Sequence, residues 1–168
     1  MKKQENRNPL AAMLFLCYGA LMVYLLFFRN RAVAEDLPYW EQVRSNCNFT
    51  PFHTIGNYWD VLTRPEHYLD KWVYSVYRFQ ALAAAVNILG NVAMFVPLGG
   101  FVPAMWQKLR KLWLVLPIVM AVITVIEVIQ LLTLRGRCDI DDLLLNMVGA
   151  LLGYALWRFI RWCKRKSK

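Results

Sequence analysis

Two histidines and four cysteines are all the chain offers in the way of soft metal ligands, and their spacing is poor for that work. No C-x-x-C pair occurs, and His53 and His67 stand far from any cysteine pattern, so a zinc site has no ligand set. The sequence contains no G-x-S-x-G, no Walker A loop and no dinucleotide fingerprint, which leaves phosphatase, nucleotide-binding and redox chemistry without a motif. A lone histidine such as His53 reads as a surface residue. No internal repeat and no low-complexity linker marks off a second domain. Charge is scarce as well, at 18% of residues against about 25% in an average soluble domain.

What takes its place is apolar surface. Of the 168 residues, 58% are hydrophobic and 14% aromatic, more than a small soluble core can hide. The excess sits in windows of about 20 apolar residues, long enough to cross ~30 Å of hydrocarbon. Four such windows are expected, at residues 10–28, 81–105, 112–134 and 140–160. The first contains no charge at all, while Pro97, Pro103 and Pro117 fall in the second and third, where membrane helices tolerate proline. Residues 1–168 therefore read as one integral membrane domain, an all-α bundle of four transmembrane helices with a long external segment, 29–80, between the first and second.

The first span has some features of a secretory signal, since Lys2, Lys3 and Arg7 precede it and Ala32–Ala34 resemble a cleavage site. Its apolar stretch exceeds the 7–15 residues of a signal core, and Arg29 and Arg31 intervene, so a retained anchor is the better reading. Orientation follows from the basic residues. Lys2, Lys3 and Arg7, then Lys108, Arg110 and Lys111, then Arg158, Arg161, Lys164, Arg165, Lys166 and Lys168 lie on one side with a single acid, Glu5. By the positive-inside rule both termini are cytoplasmic. The net charge of +9 then reflects topology and contact with anionic lipid, and nucleic-acid binding is not needed to explain it.

The external segment carries paired charges and aromatics (Tyr39, Trp40, Tyr58, Trp59, Trp72, Tyr74, Tyr77), which suit the headgroup level. Residues 65–80 are expected as an amphipathic helix feeding the second span. Asn48–Thr50 also fit a glycosylation acceptor, a match that has meaning only in a eukaryotic secretory pathway.

Against this apolar background the stretch from Glu127 to Gly149 is costly. With the orientation above, Asn87 and Asn91 lie four apart in the outer half of the second span. Glu127 and Gln130 lie in the outer half of the third, with Glu127 about 10 Å below Leu134 at 1.5 Å per residue. Asp139, Asp142 and Asn146 recur at intervals of three and four and run on into Gly149 and Gly153. The polar residues of three helices thus reach a common depth on one side of the membrane. Gly149 and Gly153 form a G-x-x-x-G pair that lets a neighbouring backbone approach, and Gly90, Gly99 and Gly100 are expected to lighten the second span similarly.

Two explanations are open. Arg135 and Arg137 neutralise Asp139, Asp141 and Asp142 at the rim while the amides bond across helices, contributing about 0.6 kcal/mol each. Alternatively the cluster is a site, because a carboxylate in hydrocarbon costs about 2.5–3.5 kcal/mol at the centre of a helix and such residues are functional candidates. Glu127 fits packing least well.

The chain resembles the VanZ-like family of small bacterial membrane proteins, named for a teicoplanin-resistance protein. The resemblance rests on "NFTPFHTI" (48–55), "NILGNVAMFVPLG" (87–99), "EVIQ" (127–130) and "DIDDLLLNMVGALLGY" (139–154), four stretches in order and with matching spacing. Carried over by position, it implies Asn87, Asn91, Glu127, Gln130, Asp139, Asp142 and Asn146 as the family's polar residues, with Pro51 and Phe52 in the outer segment; the register of Arg137 is not fixed. It implies a cell-envelope role in a bacterium, of the Gram-positive kind, with a link to glycopeptide resistance, and supplies no reaction.

Three functions are in play. In an enzyme acting on a lipid-linked cell-wall precursor, buried Glu127 would pair with Asp139 or Asp142 as acid and base, or the carboxylates and amides would hold Mg²⁺ or Ca²⁺. In a binding protein, the same groups, with Arg137, would hold an envelope lipid or glycopeptide headgroup without chemistry. An ion path has little support, since no polar residue continues it through the inner halves. Finally, Cys47 and Cys138 are the two cysteines on a shared external side and are expected to form a disulfide there.

Overall fold

The computed structural model describes residues 9–28, 37–64 and 71–167, with the backbone alone for residues 71–75. The basic tail 1–8, the Ala32–Ala34 stretch with Arg29 and Arg31, residues 65–70 with His67, and Lys168 lie outside the described residues, as do the side chains of Trp72 and Tyr74.

Four helices are long and apolar enough to cross a membrane. Helix α1 (Pro9–Val23) runs on into a π-helical turn, Tyr24–Phe28. Two short helices follow, α2 (Tyr39–Ser45) and α3 (His53–Thr63), then α4 (Lys71–Met105), α5 (Leu112–Leu132) and α6 (Ile140–Lys166). Helix α4 begins ten residues before the expected start of the second span, because residues 71–80 join it without a break. Helix α6 likewise runs six residues past its apolar window, its last turn carrying Lys164, Arg165 and Lys166, cations that suit the negative end of a helix. Among the described residues the one departure from all-α is a pair of two-residue strands, β1 (Cys47–Asn48) and β2 (Cys138–Asp139), bridged in parallel.

Helices α4 and α6 pack backbone to backbone. A Cβ at Gly149 would run into the Val92 carbonyl, one at Gly153 into the Val96 carbonyl, and one at Gly99 into that of Ala150. Small residues four apart on α6 thus meet a groove on α4, the close approach on which apolar helices rely in lipid. Gly90 is different: nothing lies near its missing side chain, so it leaves open space and does not serve packing.

Helix α5 buries Val115, Val119, Ile123, Glu127 and Gln130. These recur every three or four residues and form one stripe, so the face that carries the apolar core also turns a carboxylate and an amide inward. Met22 of α1 and Leu26 of the π-helical turn close that core with Phe95, Leu98, Ala150 and Tyr154. The opposite faces remain apolar and exposed, Phe79 at 74% and Leu16 at 70%, as lipid-facing residues should be.

The turn after α5 is set by a left-handed Leu134 (φ 52°). The N–H of Arg135 donates to the Gln130 carbonyl (2.9 Å) and that of Leu134 to the Leu131 carbonyl (3.0 Å), the pairing of a Schellman cap, here without its usual glycine. The cap turns the chain back so that β2 meets β1 and α6 starts beside α5.

Candidate functional site

The polar residues gather at the end of the bundle where α5 stops and α6 starts. There a cavity of about 470 Å³ is lined by Asn87 and Asn91 of α4, Glu127 and Gln130 of α5, Arg137 and Asp139 of the turn, and Asp142 and Asn146 of α6. Thr54 and Tyr58 of α3 join them, and Leu26, Met94, Phe95 and Ile126 supply an apolar wall. Pro51 and Phe52 do not line it.

The polar groups divide into two sets by what they bond. One set holds the extramembrane segment in place. Asp141, fully buried, accepts the backbone N–H groups of Phe52 (2.6 Å), Thr54 (2.8 Å) and Ile55 (3.0 Å). Helix α3 has no side-chain cap of its own, so a carboxylate 89 residues away from Phe52 caps it, satisfying orphan donors and meeting the positive helix end. Phe52 adopts the left-handed region (φ 62°) at that junction, an uncommon conformation for a bulky residue. Asp139 in turn accepts from the Thr54 hydroxyl (2.5 Å), the Asn48 amide (3.2 Å) and the N–H of Asp141 (2.9 Å), so its carboxylate is committed as the N-cap of α6. Asn48 also accepts from the N–H of Thr50 (3.1 Å); its amide is tied internally. The "NFTPFHTI" and "DIDD" stretches are thus two halves of one lock. Gln130 belongs with this set, its amide donating to the Leu26 carbonyl (3.1 Å) at the end of α1.

The expected neutralisation by arginine is not what holds the aspartates. Their partners are hydroxyl, amide and backbone N–H groups, while Arg137 is exposed at the cavity mouth. Sequence spacing placed Asp141 with the rim aspartates and gave it no separate role, because it falls off the 139–142–146 stripe. A signal was present in the absence of any Ser, Thr, Asn or Asp immediately before α3.

The second set faces open space. Asp142 receives a hydrogen bond from Asn91 (2.5 Å). Glu127, 7% exposed, has one hydrogen-bond partner among the described residues, the Asn146 amide at a long 3.5 Å. Asn146 Oδ1 is buried without a hydrogen-bond partner. Polar groups buried in apolar surroundings are ordinarily satisfied, so among the described residues Glu127 and Asn146 remain incompletely bonded. Tyr58 adds a hydroxyl whose pKa burial raises, with the Asp142 and Asp139 carboxylates raising it further against the opposing Arg137 charge. It stays a protonated donor at neutral pH. Among the described residues no group of three or more His, Cys, Asp or Glu is arranged to hold a metal ion.

Over this cavity, Cys47 and Cys138 are direct partners in the β1–β2 pair, both as free thiols. Burial raises the Cys138 pKa, and the Glu127, Cys47 and Asp139 charges raise it further.

A family model described as VanZ/LLP1 matches residues 15–161, a stretch that takes in every residue of the cavity and of the lock. No curated protein and no solved structure matches the chain.

Proposed function

The chain belongs to the VanZ-like family, and from that architecture we propose that its polar cavity binds the headgroup of a lipid-linked component of the bacterial envelope, with Glu127 and Asp142 as a proton-exchanging pair. One observation carries the reading: Glu127, Asp142 and the partnerless Asn146 Oδ1 turn acceptors into a cavity that is apolar on its other wall. Such a site takes a ligand that brings its own donors, hydroxyl or amine groups, on a hydrocarbon tail. Arg137 and Tyr58 at the mouth complement it, a guanidinium for a phosphate and a phenol for a neutral acceptor. With both termini cytoplasmic the cavity opens in the outer leaflet, where envelope assembly occurs. The two carboxylates have unlike partners, a close amide for Asp142 and a distant one for Glu127, which is the asymmetry acid–base work needs.

Structural packing accounts for Asp139, Asp141 and Gln130 and leaves the other three unexplained. Glu127→Gln, Asp142→Asn and Asn146→Asp variants, expressed in a cell lacking the native chain, separate the two. Envelope phenotype, glycopeptide susceptibility included, should be lost in each at normal membrane abundance. Pairs should lose little more than singles, as residues acting together do. A polyprenyl-phosphate-linked saccharide bound to purified protein, followed by native mass spectrometry, distinguishes steps. Glu127→Gln that binds it but loses phenotype places the carboxylate in chemistry, whereas full phenotype in all three variants overturns the site.

A further inference from the structure

The far end of the bundle carries a second cavity that the proposed function does not use. It is about 640 Å³ and opens between the α4–α5 connection and the last turns of α6. Arg110 and Lys111 enter it from the connection, and Arg158, Arg161 and Arg165 from α6. The three α6 arginines are spaced three and four apart, which sets them on one helical face. Tyr154 donates its hydroxyl to the Arg110 carbonyl (2.9 Å) and so clamps the connection against that face. The Arg161 guanidinium lies 5.1 Å over the Trp157 ring.

No described carboxylate lines the cavity, and none of these five cations makes an ion pair with a described acid; the one ion pair among the described residues is Arg64–Asp60. Like charges brought together repel, and here no described carboxylate offsets them. Arg110 Nε is moreover buried without a hydrogen-bond partner. Tyr154 fixes the backbone of the connection at Arg110 and Trp157 lies under the Arg161 guanidinium, so these two cations are set beside the cavity, while Lys111, Arg158 and Arg165 are exposed around its mouth.

We propose that this cavity binds the phosphoryl headgroup of an anionic phospholipid, with the Arg110 Nε as its deepest donor and the α6 arginines around the phosphate oxygens. Planar guanidinium forks match phosphate oxygens, and basic pockets between spanning helices take such headgroups. The cavity lies where α4 and α6 leave their apolar stretches, the level at which phospholipid phosphates lie, and that favours a lipid over free phosphate.

The test uses full-length protein in neutral detergent, titrated with short-chain phosphatidylglycerol, short-chain phosphatidylcholine or inorganic phosphate and read by thermophoresis. Phosphatidylglycerol should saturate one site and resist a hundredfold excess of inorganic phosphate, with phosphatidylcholine inert. Arg110→Gln, Arg158→Gln and Arg161→Gln should each weaken it roughly fivefold. A triple Arg158→Lys/Arg161→Lys/Arg165→Lys variant retains the charge that keeps the end folded but loses the forks, and should also bind more weakly. Equal affinity in wild type and variants overturns the proposal, as does a site that phosphatidylcholine fills or that inorganic phosphate occupies at the same concentration.

Discussion

Two carboxylates, Asp141 and Glu127, are both buried and behave oppositely. Asp141 is satisfied by three N–H groups, and hydrogen bonds to a charged group contribute about 1.5–3 kcal/mol each. Asp141→Asn halves its acceptor capacity and turns an NH₂ toward N–H donors. The expected result is a loss of about 2–3 kcal/mol, seen as faster hydrogen exchange across residues 53–63 and a lower melting temperature. Glu127 has one distant amide and no described cation, so Glu127→Gln should leave melting unchanged or raise it, because keeping a buried charge is costly. A melting loss in Glu127→Gln equal to that in Asp141→Asn would mean that both are structural. The sequence made Glu127, Asp142 and Asn146 legible because helix periodicity and the cost of charge in hydrocarbon are local rules. It did not distinguish Asp139 and Asp141 from them, since their partners in α3 are far away in the chain and no periodicity encodes them.

At the scale of elements, the four spans were legible from apolar length, with errors at the ends where α4 starts early and α6 runs on into charged turns. The bridge between β1 and β2 was not, because two residues of strand carry no pattern. That bridge has a chemical consequence. Neighbouring strands lie about 4.7–4.9 Å apart, inside the 4.4–6.8 Å window for a disulfide, and Cys47 and Cys138 are direct partners across it. Under an oxidant the two should cross-link, and the link would clip α3 over the cavity. The thiolate is the reacting form, and burial and the Glu127 charge raise the Cys138 pKa. Cross-linking should therefore be slow at pH 7 and accelerate as pH rises through that raised value, later than for an ordinary thiol. Glu127→Gln should move the acceleration to lower pH. Mass spectrometry after alkylation without reductant reads the outcome, and full alkylation of Cys47 and Cys138 in oxidised protein at pH 9 excludes the bridge.

The whole molecule is polarised in charge. Lys108, Arg110, Lys111, Arg158, Arg161, Lys164, Arg165 and Lys166 stand at one end of the bundle, and Glu41, Asp60, Glu127, Asp139, Asp141 and Asp142 toward the other. Helix packing alone is indifferent to which end faces the cytoplasm. The arginines and lysines are not, since cytoplasmic retention follows the basic residues near span ends and each contributes about 1 kcal/mol at an anionic leaflet. Those eight stand with no described acid, whereas the basic residues toward the other end are interspersed with acids, so the positive-inside rule predicts a cytoplasmic basic end, with the acceptor-lined cavity facing outward and the arginine cavity inward. Single cysteines introduced by Asp60→Cys on α3, or by Lys168→Cys, in a variant lacking the four native cysteines test this directly. An impermeant maleimide on intact cells should label position 60 at once and position 168 only after permeabilisation. The reverse pattern would invert both cavities together: the envelope ligand would then have to be sought in the inner leaflet, and the arginine site would face a surface with no excess of anionic lipid.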